Sequence, residues 1–115
     1  MQQFDGSERR QAPRLVLHTF CPSEFAYRGQ KYRALMMEIS SNGARMRLDE
    51  YTDFCPLDAG IQLSFEVHTP YGVGMCSGTV IWLNHQHEHL TFGVQFSRLS
   101  DDPNDPLVAL MDSTF

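Results

Sequence analysis

The chain has 115 residues, enough for one domain with a single modest core. Its composition, 42% hydrophobic and 20% charged, is that of an ordinary folded protein rather than a disordered one. A net charge of −5 argues against general nucleic-acid binding, so neither DNA nor RNA is expected as a partner, and no apolar run approaches the roughly 18 residues of a membrane span, so no membrane insertion is expected.

The opening Met1-Gln2-Gln3-Phe4-Asp5 lacks the basic and apolar regions of a signal peptide. Three cysteines, Cys21, Cys55 and Cys76, form no CxxC pair and fit a reducing cytoplasm, where they are expected to be buried small hydrophobes. Charge is divided unevenly. Residues 1–47 hold eight of the nine basic residues against four acids, for +4, while residues 48–115 hold Arg98 against ten acids, for −9. Eight of the nine basic residues are arginine, whose planar fork suits anions and guanine better than lysine does. A compact anionic ligand is therefore expected at the front of the chain.

Residues 1–14 read as a flexible arm. Its first eight residues are mostly polar, and in Arg9-Arg10-Gln11-Ala12-Pro13-Arg14 the proline opposes a helix. Residues 15–115 read as the folded unit. Leu15 to Phe20 supports a first strand, and Phe25-Ala26-Tyr27 and Tyr32-Arg33-Ala34-Leu35 flank Arg28-Gly29-Gln30 as a hairpin. Continuing that second arm to Ile39 points Leu35, Met37 and Ile39 inward and Met36 and Glu38 outward. Ser40 to Gly43 has the composition of a tight turn, after which Ala44, Met46 and Leu48 face in and Arg45 and Arg47 face out. Residues 49–60 read as an acidic loop.

Ile61 to His68 is apolar at every odd position, Thr69-Pro70-Tyr71-Gly72 turns the chain, and Met75 to Leu83 returns with Gly74 and Gly78 marking a bend. After His85-Gln86-His87-Glu88-His89, a last strand carries Leu90, Phe92, Val94 and Phe96 on one face. Asp105-Pro106 then offers an N-cap and an N1 proline to a short helix, which must dock on the sheet to persist. Short strands joined by turns, with no long helical pattern, define an all-β barrel or sandwich.

Two stretches remain unexplained by folding alone. Arg10 and Arg14 are four residues apart on the arm, and Glu38, Ser40 and Gly43 have the spacing E-x-S-x-x-G on the turn. Together, and followed by Gly60-Ile61-Gln62-Leu63, Gly78-Thr79-Val80-Ile81-Trp82 and Phe92-Gly93-Val94-Gln95-Phe96, they resemble the PilZ domain, the bacterial receptor module for cyclic di-GMP. That family carries an R-x-x-x-R arm ahead of a six-stranded antiparallel β-barrel and a [D/N]-x-S-x-x-G turn on the barrel. The resemblance runs from about residue 8 to residue 99. It implies a six-stranded barrel with a short C-terminal helix and a cyclic di-GMP receptor that orders its arm over the nucleotide and signals to an unidentified partner protein. The sequence has no Ser-His-Asp signature, phosphate-binding glycine loop or HExxH, so no catalysis is expected, nor a cofactor or metal.

By the same resemblance Arg10 and Arg14 are the arm ligands, with Arg9 accessory, and Glu38, Ser40 and Gly43 are the turn ligands. The chemistry is coherent. Guanidinium forks bind phosphate bidentately or fork onto guanine O6 and N7, and a carboxylate accepts from guanine N1–H and N2–H. Gly43 would take a positive φ or admit a close backbone. Trp82 fits two places, beside a base or in the core.

Glu38 departs from the family's Asp or Asn by one methylene, about 1.5 Å of reach. That departure opens an alternative, a PilZ-fold protein-interaction adaptor with weak or no nucleotide binding. A third candidate is the alternation of His85, His87 and His89, which would share one strand face as a metal site; a polar hairpin tip is the favoured account, because no carboxylate or cysteine elsewhere clearly completes the shell.

Overall fold

A computed structural model describes residues 15–48, 57–85, 89–98, 102 and 104–112. Six strands, β1 (Leu15–Tyr27), β2 (Gln30–Ile39), β3 (Gly43–Leu48), β4 (Gln62–Thr69), β5 (Gly72–His85) and β6 (Leu90–Arg98), precede one helix, α1 (Pro106–Asp112). They close into an antiparallel barrel in the order β1-β2-β3-β6-β5-β4. The expected arm with Arg9, Arg10 and Arg14, the loop residues 49–56 with Cys55, and His87 lie outside the described residues.

Alternation builds the interior. Leu63, Phe65 and Val67 of β4 and Leu90, Phe92, Val94 and Phe96 of β6 all point into the core. Phe25, Phe65 and Phe92 meet at its centre: Phe25 stands edge-on to Phe65 with centroids 5.2 Å apart, and Phe65 stacks on Phe92 at 6.4 Å. The β1–β2 hairpin turns through Arg28 and Gly29, both at positive φ, the geometry that matches the right-handed twist of the flanking strands. The first strand is one element rather than two. Pro22 sits inside it, opposite Leu35, just past a wide irregularity between Val16 and Cys21, and a bulge is where a ladder tolerates a residue without N–H.

A second bulge corrects the facing of β2. Its register against β3 slips between Met36 and Glu38, leaving Met37 as the extra residue. Met36 is therefore fully buried and Leu35 is only partly so, the reverse of uninterrupted alternation, while Glu38 and Ile39 keep their expected faces.

Helix α1 starts as its sequence signals: the Asp105 Oδ1 accepts from the Leu107 N–H at 2.9 Å, and Pro106 takes the first helical position. Leu107 is fully buried against Gly74 of β5, where an added Cβ would lie 2.8 Å from its side chain. Beneath the helix start, burial pushes the Cys76 thiol up to about 12, with the Asp105 carboxylate adding to the rise, and burial alone raises Cys21. An unfolded thiol ionises near 9.0. Between these values the unfolded chain binds fewer protons than the folded one, so stability falls as pH rises from 9 towards 12. Urea melts should show about 1.4 kcal/mol lost per pH unit over that window, and a shallower slope in Cys76→Ala.

Candidate functional site

The turn between β2 and β3 is held from within. The Ser40 N–H donates to the Gly43 carbonyl at 2.9 Å, the Asn42 N–H donates to the Ser40 Oγ at 3.2 Å, and that hydroxyl points back to the Gly43 carbonyl at 3.5 Å. The Phe96 N–H donates to the Asn42 carbonyl at 2.8 Å and so ties the turn to β6. Ser40 thus shapes the corner that presents it.

Gly43 has a reason different from the expected one. Its φ is not positive. Instead, β6 passes so close that an added Cβ would strike the Val94 carbonyl oxygen. Close backbone approach, one of the two expected roles of this glycine, is the one the fold uses, and the approaching backbone is the protein's own.

Strand register then assembles a line of side chains that no single segment contains. Val16 of β1 pairs with Glu38 of β2, Glu38 with Arg45 of β3, Arg45 with Gly93 of β6, and Gly93 with Trp82 of β5. This row runs across five strands on the outside of the barrel. At its centre Arg45 Nη2 lies 2.8 Å from Glu38 Oε2, a charge-assisted pair between a largely buried carboxylate and a half-exposed guanidinium. The indole of Trp82 covers Gly93, where any Cβ would collide with its pyrrole ring. Trp82 is 39% exposed and Val16 62%, so both ends of the row offer apolar surface around the ion pair. Trp82 is therefore a surface ring and not a core residue.

Glu38, Ser40 and Gly43 thus stand together at the corner, and Trp82 joins them through the row. Arg45 was missed as a site residue. Counting back from a four-residue turn places Arg45 opposite Glu38, and opposite charges at paired positions are the signal that finds it. The start of β1 is also informative: Leu15 pairs with Ile39, the residue before Ser40, so the polypeptide enters the barrel beside this turn. Of the histidine candidate, His85 is exposed and His89 partly buried, flanking residues 86–88, which are not described. Among the described residues no cluster of three or more His, Cys, Asp or Glu could hold a metal ion, and no helix is long and apolar enough to cross a membrane.

A six-stranded closed barrel with a serine-shaped corner beside the entry of β1 defines a class of small β-barrel domains, and the family comparison makes it specific. The PilZ domain model matches residues 8–113, and the chain belongs to the PilZ domain family. Its fold resembles the PilZ domain of YcgR from Escherichia coli, solved with c-di-GMP, at a TM-score of 0.71 and 17% identity, covering 90% of this chain and 85% of that one. A second YcgR structure from Escherichia coli, also in complex with c-di-GMP, gives a TM-score of 0.75 at 16% identity, and the Bacillus subtilis inhibitor of motility MotI/DgrA gives 0.68 at 15%. Each of these two is matched over 92% of this chain, which spans about half of their lengths, 46% and 52%. No curated protein matches the chain by sequence.

Proposed function

We propose that this chain is a receptor for cyclic di-GMP, with Arg9, Arg10 and Arg14 closing over a nucleotide seated against the Glu38–Gly43 corner. The observation that carries the reading is the pairing of Leu15 with Ile39. Arg14 is bonded to Leu15, so the root of the arginine segment is tethered to the corner whose motif it accompanies in sequence. Membership of the PilZ family and the likeness to two YcgR structures solved with c-di-GMP support the choice of ligand.

The parts divide the ligand between them. Arginine forks take the phosphates and the O6/N7 edge of guanine, the corner offers acceptors to the N1–H and N2–H edge, and the exposed Trp82 offers a face to a base. Closing a segment bearing three guanidinium groups changes both the charge and the shape of the surface beside it. A protein partner in the cytoplasm would read that change.

Titration calorimetry with cyclic di-GMP is the test. Binding heat in the wild-type chain and a loss of at least tenfold in affinity in Arg10→Ala and in Ser40→Ala are expected, because each removes a group from one half of the site. Trp82 is the single tryptophan, so its fluorescence should change in the same titration. A wild-type chain that gives neither heat nor a fluorescence change at high protein and nucleotide concentration overturns the reading. That result would leave the second one, an adaptor without nucleotide, which draws on the engagement of the Glu38 carboxylate by Arg45.

A further inference from the structure

We infer that Arg45 is a ligand-contacting residue of this site and that Glu38 acts through it, as a positioning residue rather than as the direct reader of guanine. The inference rests on the receptor reading above.

Three observations lead to it. Glu38 and Arg45 occupy paired positions on neighbouring strands, so the backbone itself brings them together. Their contact is 2.8 Å, and the carboxylate is largely buried, with 12% of the side chain exposed, whereas 45% of the arginine is exposed. Of the two, it is the guanidinium that faces outward. A guanidinium has five N–H donors in a fixed plane, and a carboxylate engages at most two of them bidentately. The remaining donors of a held guanidinium are oriented, which a free arginine on a flexible stem is not.

What lies next to Arg45 completes the argument. Its other paired neighbour is Gly93, which has no side chain and whose place above the sheet is taken by the indole of Trp82. The row therefore sets a positioned fork on β3 and an exposed aromatic ring on β5 on either side of β6, with nothing but a glycine between them. A fork beside a flat apolar face suits a purine base hydrogen-bonded at its O6/N7 edge, or the phosphate next to a stacked base. The extra methylene of Glu38 relative to the family's Asp has a use in this geometry: it lets a residue on β2 reach the guanidinium across the strand gap.

Calorimetry with cyclic di-GMP on Arg45→Ala, Arg45→Lys, Glu38→Ala and the double variant Glu38→Ala/Arg45→Ala tests this. Arg45→Ala should weaken binding by about tenfold to a hundredfold, the effect of losing a charge-assisted contact. Arg45→Lys, which keeps a charge for Glu38 but not the fork, should recover only part of that loss. Because Glu38 acts through Arg45, the double variant should bind within about twofold of Arg45→Ala alone. Melting curves accompany each titration, since a purely structural role would lower thermal stability in step with affinity, and Arg45→Lys, which keeps a charge beside the largely buried Glu38 carboxylate, separates the two effects. Wild-type affinity in Arg45→Ala or in Arg45→Lys overturns the inference, as does a double variant whose loss equals the product of the two single losses. Failure of the wild-type chain to bind is a different result: it removes the receptor reading, and this one with it.

Discussion

Gly43→Ala is expected to destabilise the barrel by about 3 kcal/mol, at the upper end for overpacking. The added methyl would strike the carbonyl oxygen of Val94, which is backbone and cannot rotate away as a side chain does. Gly43 pairs with Gln95, and its turn is tied to β6 through Phe96 and Asn42, so the only relief is to move β3 and β6 apart. Those two strands form one of the seams that close the barrel. For a domain of this size, thermal melting should fall by roughly 10–15 °C. A fall of less than about 2 °C would mean that the seam yields easily and that this glycine is not required by packing. The variant matters for function too, because a loss of nucleotide binding in Gly43→Ala would report a damaged barrel as much as a damaged ligand contact.

Phe65→Ala should cost more, about 3–5 kcal/mol. Phe65 is 1% exposed, pairs with Phe25 across the β1–β4 seam, and touches the rings of both Phe25 and Phe92. Removing its ring leaves a cavity bounded by rigid strands on every side, which cannot collapse as a loop would. Phe65→Leu retains most of the volume and should lose markedly less. Urea denaturation of the two variants checks both values, and equal losses would show that shape at the ring cluster, not volume, governs the core.

Much of the barrel was legible because alternation is a strong signal wherever a strand runs straight. Leu63, Phe65 and Val67 and the series Leu90 to Phe96 were placed correctly for that reason. Failures came where the ladder carries an extra residue. One residue, Met37, reverses the faces of Met36 and Leu35, and a run of apolar residues such as Leu35-Met36-Met37 does not reveal which of its members is the bulge. Likewise the continuous β1 reads from sequence as a strand ending at Phe20 and a separate hairpin arm from Phe25, because the irregularity between Val16 and Cys21 interrupts the alternation.

The site was legible in a different way. The corner motif was visible as spacing along the chain, but Arg45, Gly93 and Val16 are brought to it by pairing between strands. Sequence alone leaves Trp82 between a core place and a place beside a base, because the glycine that makes room for its ring lies eleven residues on, in the strand beside it.

The row across the barrel also bears on how the chain reaches its working state. Neighbours such as Glu38 and Arg45 are supplied by a hairpin and can meet early, on the microsecond scale of local turns. Arg45 and Gly93 are separated by most of the second half of the chain, and they meet only when β3 finds β6. Loop closure of that length, together with the β1–β4 seam, gives the slow kinetics of non-local β topologies, milliseconds to seconds rather than microseconds. The carboxylate–guanidinium pair can therefore form before the rest of the row, which is complete only once β3 has paired with β6.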